Sequence, residues 1–558
     1  MTEVSNGEIQ TAAMDHYGLV AAICQDLKIA EKINSRLSVD PQRKVSPGTA
    51  VIAMIINGLG FTNRRLYLTH QFFESKPVAR LLGQDLEAKD ITDYTLGHAL
   101  DDIAKYDATQ LFAEVAFEIA LEHKLLGSNN HLDTTSMSVY GKYDVDDDPN
   151  TIEVTHGFSK DHRPDLKQVV LSLVVNGPSS IPLWMEPLDG NSSDKTSFHE
   201  TIKRVEAFRA QINVEAKFKW IADSALYTKD KLLKNNDYKW ITRVPETIAE
   251  VKRLVEKPDE EISWIERKNG YKTSSISSTY GGIPQRWLLV FSEQAYRREK
   301  KTLEKKIEKE AEALKQALWH FGNQEFDCEG DALKALETMK KGYKWHTIES
   351  QVVASYKYPG RGRPKHGAEK VVGGYRVEST FSRHEEVTKR VLSSKGRFIL
   401  ATNELNESLC TEEEILEEYK EQQDVERGFR FLKDPWFMVD SVFLKTPKRI
   451  EALMMVMTLC LMVYNFGQYK IRERLKEEHT TLPNQLGKEV SNPTLRWIFQ
   501  LMEGIGIVYF YEELSTQHVR EVITNLTQLR RKIISLFGET TERMYGLIQK
   551  KSLRGLGM

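Results

Sequence analysis

Residues 129–143, NNHLDTTSMSVYGKY, break with the texture of everything before them. They alternate in polarity and are rich in Thr, Ser, Val and Tyr, the pattern of a strand. In their midst stands Asp133, flanked by small hydroxyl residues where a strand interior is ordinarily apolar. A carboxylate there is expensive to bury unless it is paired or holds a cation. LKQVVLSLVVNG (166–177) and SIPLWMEPL (180–188) follow with strand-like content, joined at Asn176-Gly177-Pro178. A helical stretch, DKTSFHETIKRVEAFRAQI (194–212), leads to KFKWIADSALYT (217–228), a fourth strand ending at Asp223. Ligand sites of α/β sheets gather outside strand ends, so Asp223 is a second candidate. Three hairpin-like strands, a helix and another strand begin an α/β layer.

Working outward, residues 14–125 read as helical almost throughout, with apolar residues at three- and four-residue steps. Turn signals at Ser46-Pro47-Gly48 and Asn57-Gly58 separate the pieces. Short helices joined by tight turns suit a DNA-binding helix-turn-helix and a plain scaffold equally. From about 236 to 395 the pattern is mixed: short β-like runs, and the charged helix YRREKKTLEKKIEKEAEALKQAL (296–318), whose alternating signs read as a solvated face. GRFILAT (396–402) reads as a further buried strand, followed by a helix from Thr411 to Lys433. Pro447–Met558 reads as mainly helical. Its apolar stretch Ile450–Phe466 contains Glu451 and Asn465, is short for a membrane span and is expected to be a buried helix.

At 558 residues the chain is too long for one ordinary core, which excludes a small binding module. The 78 basic and 80 acidic residues leave a net charge of −2, so a polyanion must be held by local patches and not by a global field. Four scattered cysteines without a C-x-x-C pair and an N-terminus without a basic and apolar leader predict a reducing cytoplasm and no cysteine-bound zinc.

The helix YKEQQDVERGFRFLK (419–433) supplies the third element. Tyr419, Gln422, Glu426, Arg430 and Lys433 fall at steps of three and four and line one face, while Val425, Phe429 and Leu432 can pack inward. By itself that face could be a solvated one with a Glu426–Arg430 pair. With the two aspartates, Glu426 becomes a third carboxylate candidate.

The spacing Tyr419-x2-Gln422-x3-Glu426-x6-Lys433 resembles the Tyr-x2-Arg-x3-Glu-x6-Lys signature of bacterial insertion-sequence transposases with an Asp-Asp-Glu triad. Gln422 departs from it, which weakens a phosphate contact there or passes it to Arg427 or Arg430. HGFSKDHRPDLKQVVLSLVV (156–175), the Gly190-Asn191 turn with Asp194, and IADSALYT (221–228) resemble the core segments of those enzymes in the expected order, so the likeness covers about 90–470. It implies a ribonuclease H-like mixed-sheet core, α/β in class, interrupted by a large mainly β insertion and flanked by helical regions; the 203 residues between Asp223 and Glu426 suit such an insertion. The expected divisions are a helical N-terminal domain at 1–127, core at 128–235 and 396–470, the insertion at 236–395 and a helical C-terminal region at 471–558.

The resemblance further implies that Asp133, Asp223 and Glu426 are the catalytic triad and hold two Mg²⁺ or Mn²⁺ ions, one activating the attacking oxygen and one stabilising the leaving oxygen. Tyr419, Gln422, Arg430 and Lys433 would lie along the DNA. The implied activity is transposition: binding of double-stranded DNA at the element's terminal inverted repeats, cleavage, and strand transfer into target DNA, by a homodimer in a synaptic complex in the bacterial cytoplasm, at the nucleoid. A ribonuclease H-like nuclease or resolvase without strand transfer, and a silent DNA-binding relative, are the alternatives. Separately, Gly360-Arg361-Gly362-Arg363-Pro364-Lys365 resembles an AT-hook core, in which Arg361 and Arg363 would enter a narrow minor groove; a Gly/Pro loop with solvated charges reads the same way.

Overall fold

The computed structural model describes residues 9–548 apart from 39, 63–65, 84, 142, 144–150, 361, 365, 435–443, 445 and 512–517. The chain divides into two compact units, residues 1–241 with 417–558 and residues 242–416.

The first unit opens with a short strand, β1 (Ile9–Ala13), and then runs through helices to Ala108–Glu122. The Ser46-Pro47-Gly48 turn signal proves to be a helix start: Ser46 accepts from the Thr49 amide and Pro47 occupies the first helical position, where its missing N–H is no loss. Gly48 is needed there because a Cβ would stand 2.3 Å from the Ala30 carbonyl oxygen. Thr92 caps the helix Asp93–Tyr106 in the same way.

The sheet of this unit comprises β2 (Asn129–Val139), β3 (Lys167–Asn176), β4 (Ile181–Leu188), β5 (Lys219–Ala222) and β6 (Lys239–Arg243), in the order β4-β3-β2-β5-β6. β2 and β3 are antiparallel with Asp133 opposite Leu173, and β3 and β4 are antiparallel across the 177–180 turn. β5 returns parallel to β2, its Ala222 beside Leu132, after the helix Asp194–Gln211. β3 is buried at nearly every position, which explains its near-continuous apolar run. Behind the sheet lies the helix Pro447–Glu477, packed against β4 and the helices Pro47–Gly58, Asp93–Tyr106 and Ala108–Glu122. Ile450–Phe466 is therefore core, and its apolarity serves packing on all sides.

The second unit contains β7 (Ile265–Arg267), β8 (Tyr271–Ser278), β9 (Gln285–Ser292), β10 (His346–Lys357), β11 (Val371–Arg383) and β12 (Arg397–Thr402). β12, β9, β8 and β7 lie in that order with antiparallel neighbours, while β10 and β11 form a separate two-stranded ribbon. The charged helix spans Glu293–Gly322 with only Leu303, Ile307 and Leu314 buried, so its many Glu and Lys side chains do form a largely solvated face. Helices Ala249–Val255, Glu329–Lys340 and Glu385–Ser393 make this unit more helical than its strand-like runs suggested.

The C-terminal region of the first unit is less uniformly helical than its sequence pattern. It carries β13 (Leu482–Pro483), β14 (Glu489–Val490), β15 (Gly506–Tyr511) and β16 (His518–Thr524), and β15 pairs with both β16 and β1. GIVYFY is a β-branched and aromatic run that pairs with the following strand β16 and with β1, almost 500 residues earlier, the second a partner that local periodicity does not show.

Candidate active site

β5 ends beside the middle of β2. Leu132 and Ala222 are the last paired positions, and Asp133 and Asp223 are the next residue on each strand. Neighbouring parallel strands are about 4.8 Å apart, so the two aspartates are adjacent in register although they stand 90 positions apart in the chain. Asp133 accepts from the Thr134 amide at 2.7 Å. Asp223 leaves the strand in extended conformation and accepts from the Ala225 amide at 2.8 Å, capping the turn Ser224–Leu226. Both carboxylates are partly exposed. They are fixed by backbone donors yet open to an approaching ligand.

The helix expected over Thr411–Lys433 forms as Glu412–Lys420 and Gln422–Leu432, with the interruption at Glu421. Two polar contacts tie it to the aspartate strands. Glu418 takes the Lys219 ammonium at the start of β5 between its two oxygens, each at 2.8 Å. Gln422 donates from Nε2 to the Leu132 carbonyl at 3.0 Å, while its Oε1 lies 3.1 Å from Nδ1 of His131. Val425, Gly428, Phe429 and Leu432 are buried, and a Cβ on Gly428 would meet Leu461 at 3.1 Å, so the helix lies close against the core helix.

These contacts place Glu426. It is one turn beyond Gln422, about 6 Å along the axis, while two residues of strand advance about 6.6 Å. At the far end of the helix Lys433 reaches Asp161 at 2.7 Å, and the neighbouring Lys160 donates to the Thr134 carbonyl at 2.7 Å. From Glu418 at the start of β5 through Gln422 at Leu132, the helix thus proceeds in the direction of β2, with Glu426 one turn past the Leu132 contact. Its side chain is exposed, about 40° around the helix from buried Gln422.

Two of the three expected carboxylates are thus brought together, and the third lies on the adjoining helix, one turn past its contact with Leu132. Among the described residues no three Asp, Glu, His or Cys side chains gather into one metal-sized cluster. Carboxylate oxygens on two adjacent parallel strands are nevertheless the ligand chemistry that Mg²⁺ and Mn²⁺ take, so the aspartate pair fits such an ion.

Other expected site residues are placed differently from one another. Gln422, expected at DNA, is instead buried with both ends of its amide engaged within the protein, because the strand offers it a carbonyl acceptor and an imidazole donor. Tyr419 is half-buried and Arg430 is exposed on the open side of the helix. Lys433 is mostly buried; desolvation pushes its ammonium below the ordinary lysine value, and the Asp161 carboxylate opposes that shift. Arg363 is exposed in the loop between β10 and β11, and Arg361 lies outside the described residues.

Lys160 is the functional candidate that spacing did not single out. Its ammonium lies 3.9 Å from Asp133 Oδ1, and its amide donates to Ser136 Oγ at 2.9 Å. The only sequence signal was its place in the SKDHRPD loop, which says nothing of the loop folding back along β2.

Two family models match the chain. A domain of unknown function, DUF4277, matches residues 9–117, and a transposase DDE domain matches residues 132–465, more than half of the chain. No curated protein matches. Among solved structures, the chain is similar to a piggyBac transposase synaptic complex with hairpin DNA at 8% identity, covering 88% of this chain and 82% of that one with a TM-score of 0.36. It is also similar to a Mos1 transposase paired-end complex with the left transposon end, at 10% identity over 32% of this chain and 56% of that one, with a TM-score of 0.15. The domain match begins one residue before Asp133 and extends beyond Glu426, so it takes in both aspartates and the helix clamped to them: the chain belongs to the DDE-domain transposase family.

Proposed function

We propose that this protein binds the ends of a mobile DNA element, cleaves phosphodiester bonds there and joins the element to target DNA, with Asp133, Asp223 and Glu426 as the catalytic carboxylates. The observation that carries the proposal is the adjacency of Asp133, within β2, and Asp223, just past the end of the parallel strand β5. Three antiparallel strands followed by a parallel partner, in the order β4-β3-β2-β5, support a ribonuclease H-like core.

In this mechanism Asp133 and Asp223 would hold a divalent cation and Glu426 would complete the site as its side chain turns inward from the helix edge. Two such ions supply activation of the attacking oxygen and stabilisation of the leaving oxygen. The chain's own contribution is placement: the parallel register sets the two aspartates, and the Glu418 and Gln422 contacts set the helix that carries Glu426. Arg430 contributes positive charge on the open side of the helix, where the DNA backbone would run, whereas Lys433 is held by Asp161. A dimer that holds two ends together, acting in the cytoplasm at the nucleoid, completes the proposal.

The test is excision of a marked element from a plasmid, followed by cleavage of end-containing duplexes with purified protein. Asp133→Asn, Asp223→Asn and Glu426→Gln are each expected to abolish excision and cleavage while leaving duplex binding in place. A variant that still cleaves at the wild-type rate removes that residue from the catalytic set.

A further inference from the structure

We infer that Gln422 is a positioning residue that locks the Glu426 helix in register against the Asp133 strand, in place of the DNA contact its spacing suggests. The inference rests on the catalytic assignment of Glu426 and Asp133 proposed above.

Gln422 is buried beside His131, itself wholly enclosed. The Leu132 carbonyl can only accept, so the Gln422 amide nitrogen must face it, at 3.0 Å. That leaves Oε1 toward His131 Nδ1 at 3.1 Å, and the imidazole must present its N–H there. One side chain thus ties two successive residues of β2, the two immediately before Asp133. The residue one turn further along the same helix is Glu426. A shift of the helix by one residue would move Glu426 by about 1.5 Å along its axis and rotate it by about 100°, and it would break both bonds. The two hydrogen bonds therefore select the one register in which Glu426 lies one turn past the Leu132 contact.

An arginine at this position would put a guanidinium, which only donates, against the donating Nδ1–H of His131, and would bury a cation where no carboxylate is hydrogen-bonded to the amide it replaces. Glutamine is matched to this pair of partners because it both donates and accepts. A residue reaching for phosphate would be expected to keep its polar end exposed, and Gln422 does not.

The experiment compares full-length wild type with Gln422→Met, which keeps the volume and removes both bonds, Gln422→Arg, and Glu426→Gln. Amide hydrogen exchange is followed in the metal-free protein over residues 129–135 and 422–432, duplex binding is measured in EDTA across a salt series, and cleavage is measured with Mg²⁺. A register lock predicts that Gln422→Met speeds exchange in both segments by about tenfold, leaves duplex affinity within about twofold and lowers cleavage by at least about tenfold. Gln422→Arg is then expected to bind DNA no more tightly than wild type and to cleave poorly. The inference is overturned if exchange in Gln422→Met is unchanged, or if Gln422→Arg binds more tightly with a steeper salt dependence and cleaves at the wild-type rate. Should Gln422→Met fail to fold, Gln422→Glu keeps the shape and the acceptor for His131 but cannot donate to Leu132, and is judged by the same criteria. Wild-type cleavage by Glu426→Gln would sink the catalytic assignment, whereas the exchange result bears on the register lock alone.

Discussion

Lys160 offers the sharpest test of the acidic site. Its ammonium lies 3.9 Å from Asp133 Oδ1, so a cation that binds Asp133 has to compete with a charge already there. The side chains are 18% exposed for Asp133 and 36% for Lys160, so the pair is partly covered and still reached by water. The water limit is then a lower bound: two unit charges at that separation are worth at least about 1 kcal/mol, and about 1.4 kcal/mol is a factor of ten. Lys160→Met should thus tighten Mn²⁺ binding to the DNA-free protein at least about fivefold. The same substitution removes the donor to the buried Thr134 carbonyl, so it should lower stability by about 1 kcal/mol. Isothermal calorimetry with Mn²⁺ reads the first effect and urea unfolding the second, with Asp133→Asn as the control that loses the binding heat. An unchanged or weaker Mn²⁺ affinity in Lys160→Met, with the Asp133→Asn control behaving as stated, would refute the idea that the ammonium and the ion share Asp133.

Two further predictions concern regions away from the carboxylates. His16 is buried, donates to the Leu59 carbonyl at 3.0 Å and stacks on Phe499; burial pushes its pKa down to about 4, the Leu59 bond partly opposing and the Lys76 charge adding to the shift. Because the folded value is depressed, the stability it contributes is complete above pH 6.5 and is lost as pH falls from there through about 4, a loss of about 3 kcal/mol at the lower end. Thermal unfolding of His16→Gln should show a correspondingly flatter pH dependence over that window, and an unaltered profile would mean that other groups control it. Replacing Arg361 and Arg363 by Ala should weaken duplex binding and reduce the slope of log K against log salt by up to about 1.8, at about 0.9 per phosphate contact; an identical slope would leave the loop between β10 and β11 as solvated charge.

What could be read directly from residues was whatever local pattern enforces. Alternation and β-branched content mark β2 to β5 in the right order, because a strand with one buried face has to alternate and one with two has to be apolar. Asp133 and Asp223 were conspicuous because a carboxylate in such a strand needs a reason. The helix carrying Glu426 was legible from steps of three and four. Ile450–Phe466 was legible as core because an apolar run of that length interrupted by Glu and Asn suits packing better than a lipid span.

The tertiary structure decided what depends on contacts between distant segments. GIVYFY is sandwiched between its neighbour β16 and the distant β1, which no window around it contains. The loop carrying Lys160 folded back along β2, so a lysine 27 residues from Asp133 came within 3.9 Å of its carboxylate. Gln422 was drawn inward by the Leu132 carbonyl and His131, although its spacing placed it with the exposed residues of the helix. The sequence by itself thus determined the elements and the residue types able to do metal-assisted chemistry, since both follow from short-range periodicity and intrinsic acidity. Which carboxylates stand side by side, and which polar side chain holds the third in register, was decided only in three dimensions, because register between strand and helix is set by hydrogen bonds that join residues almost 300 positions apart.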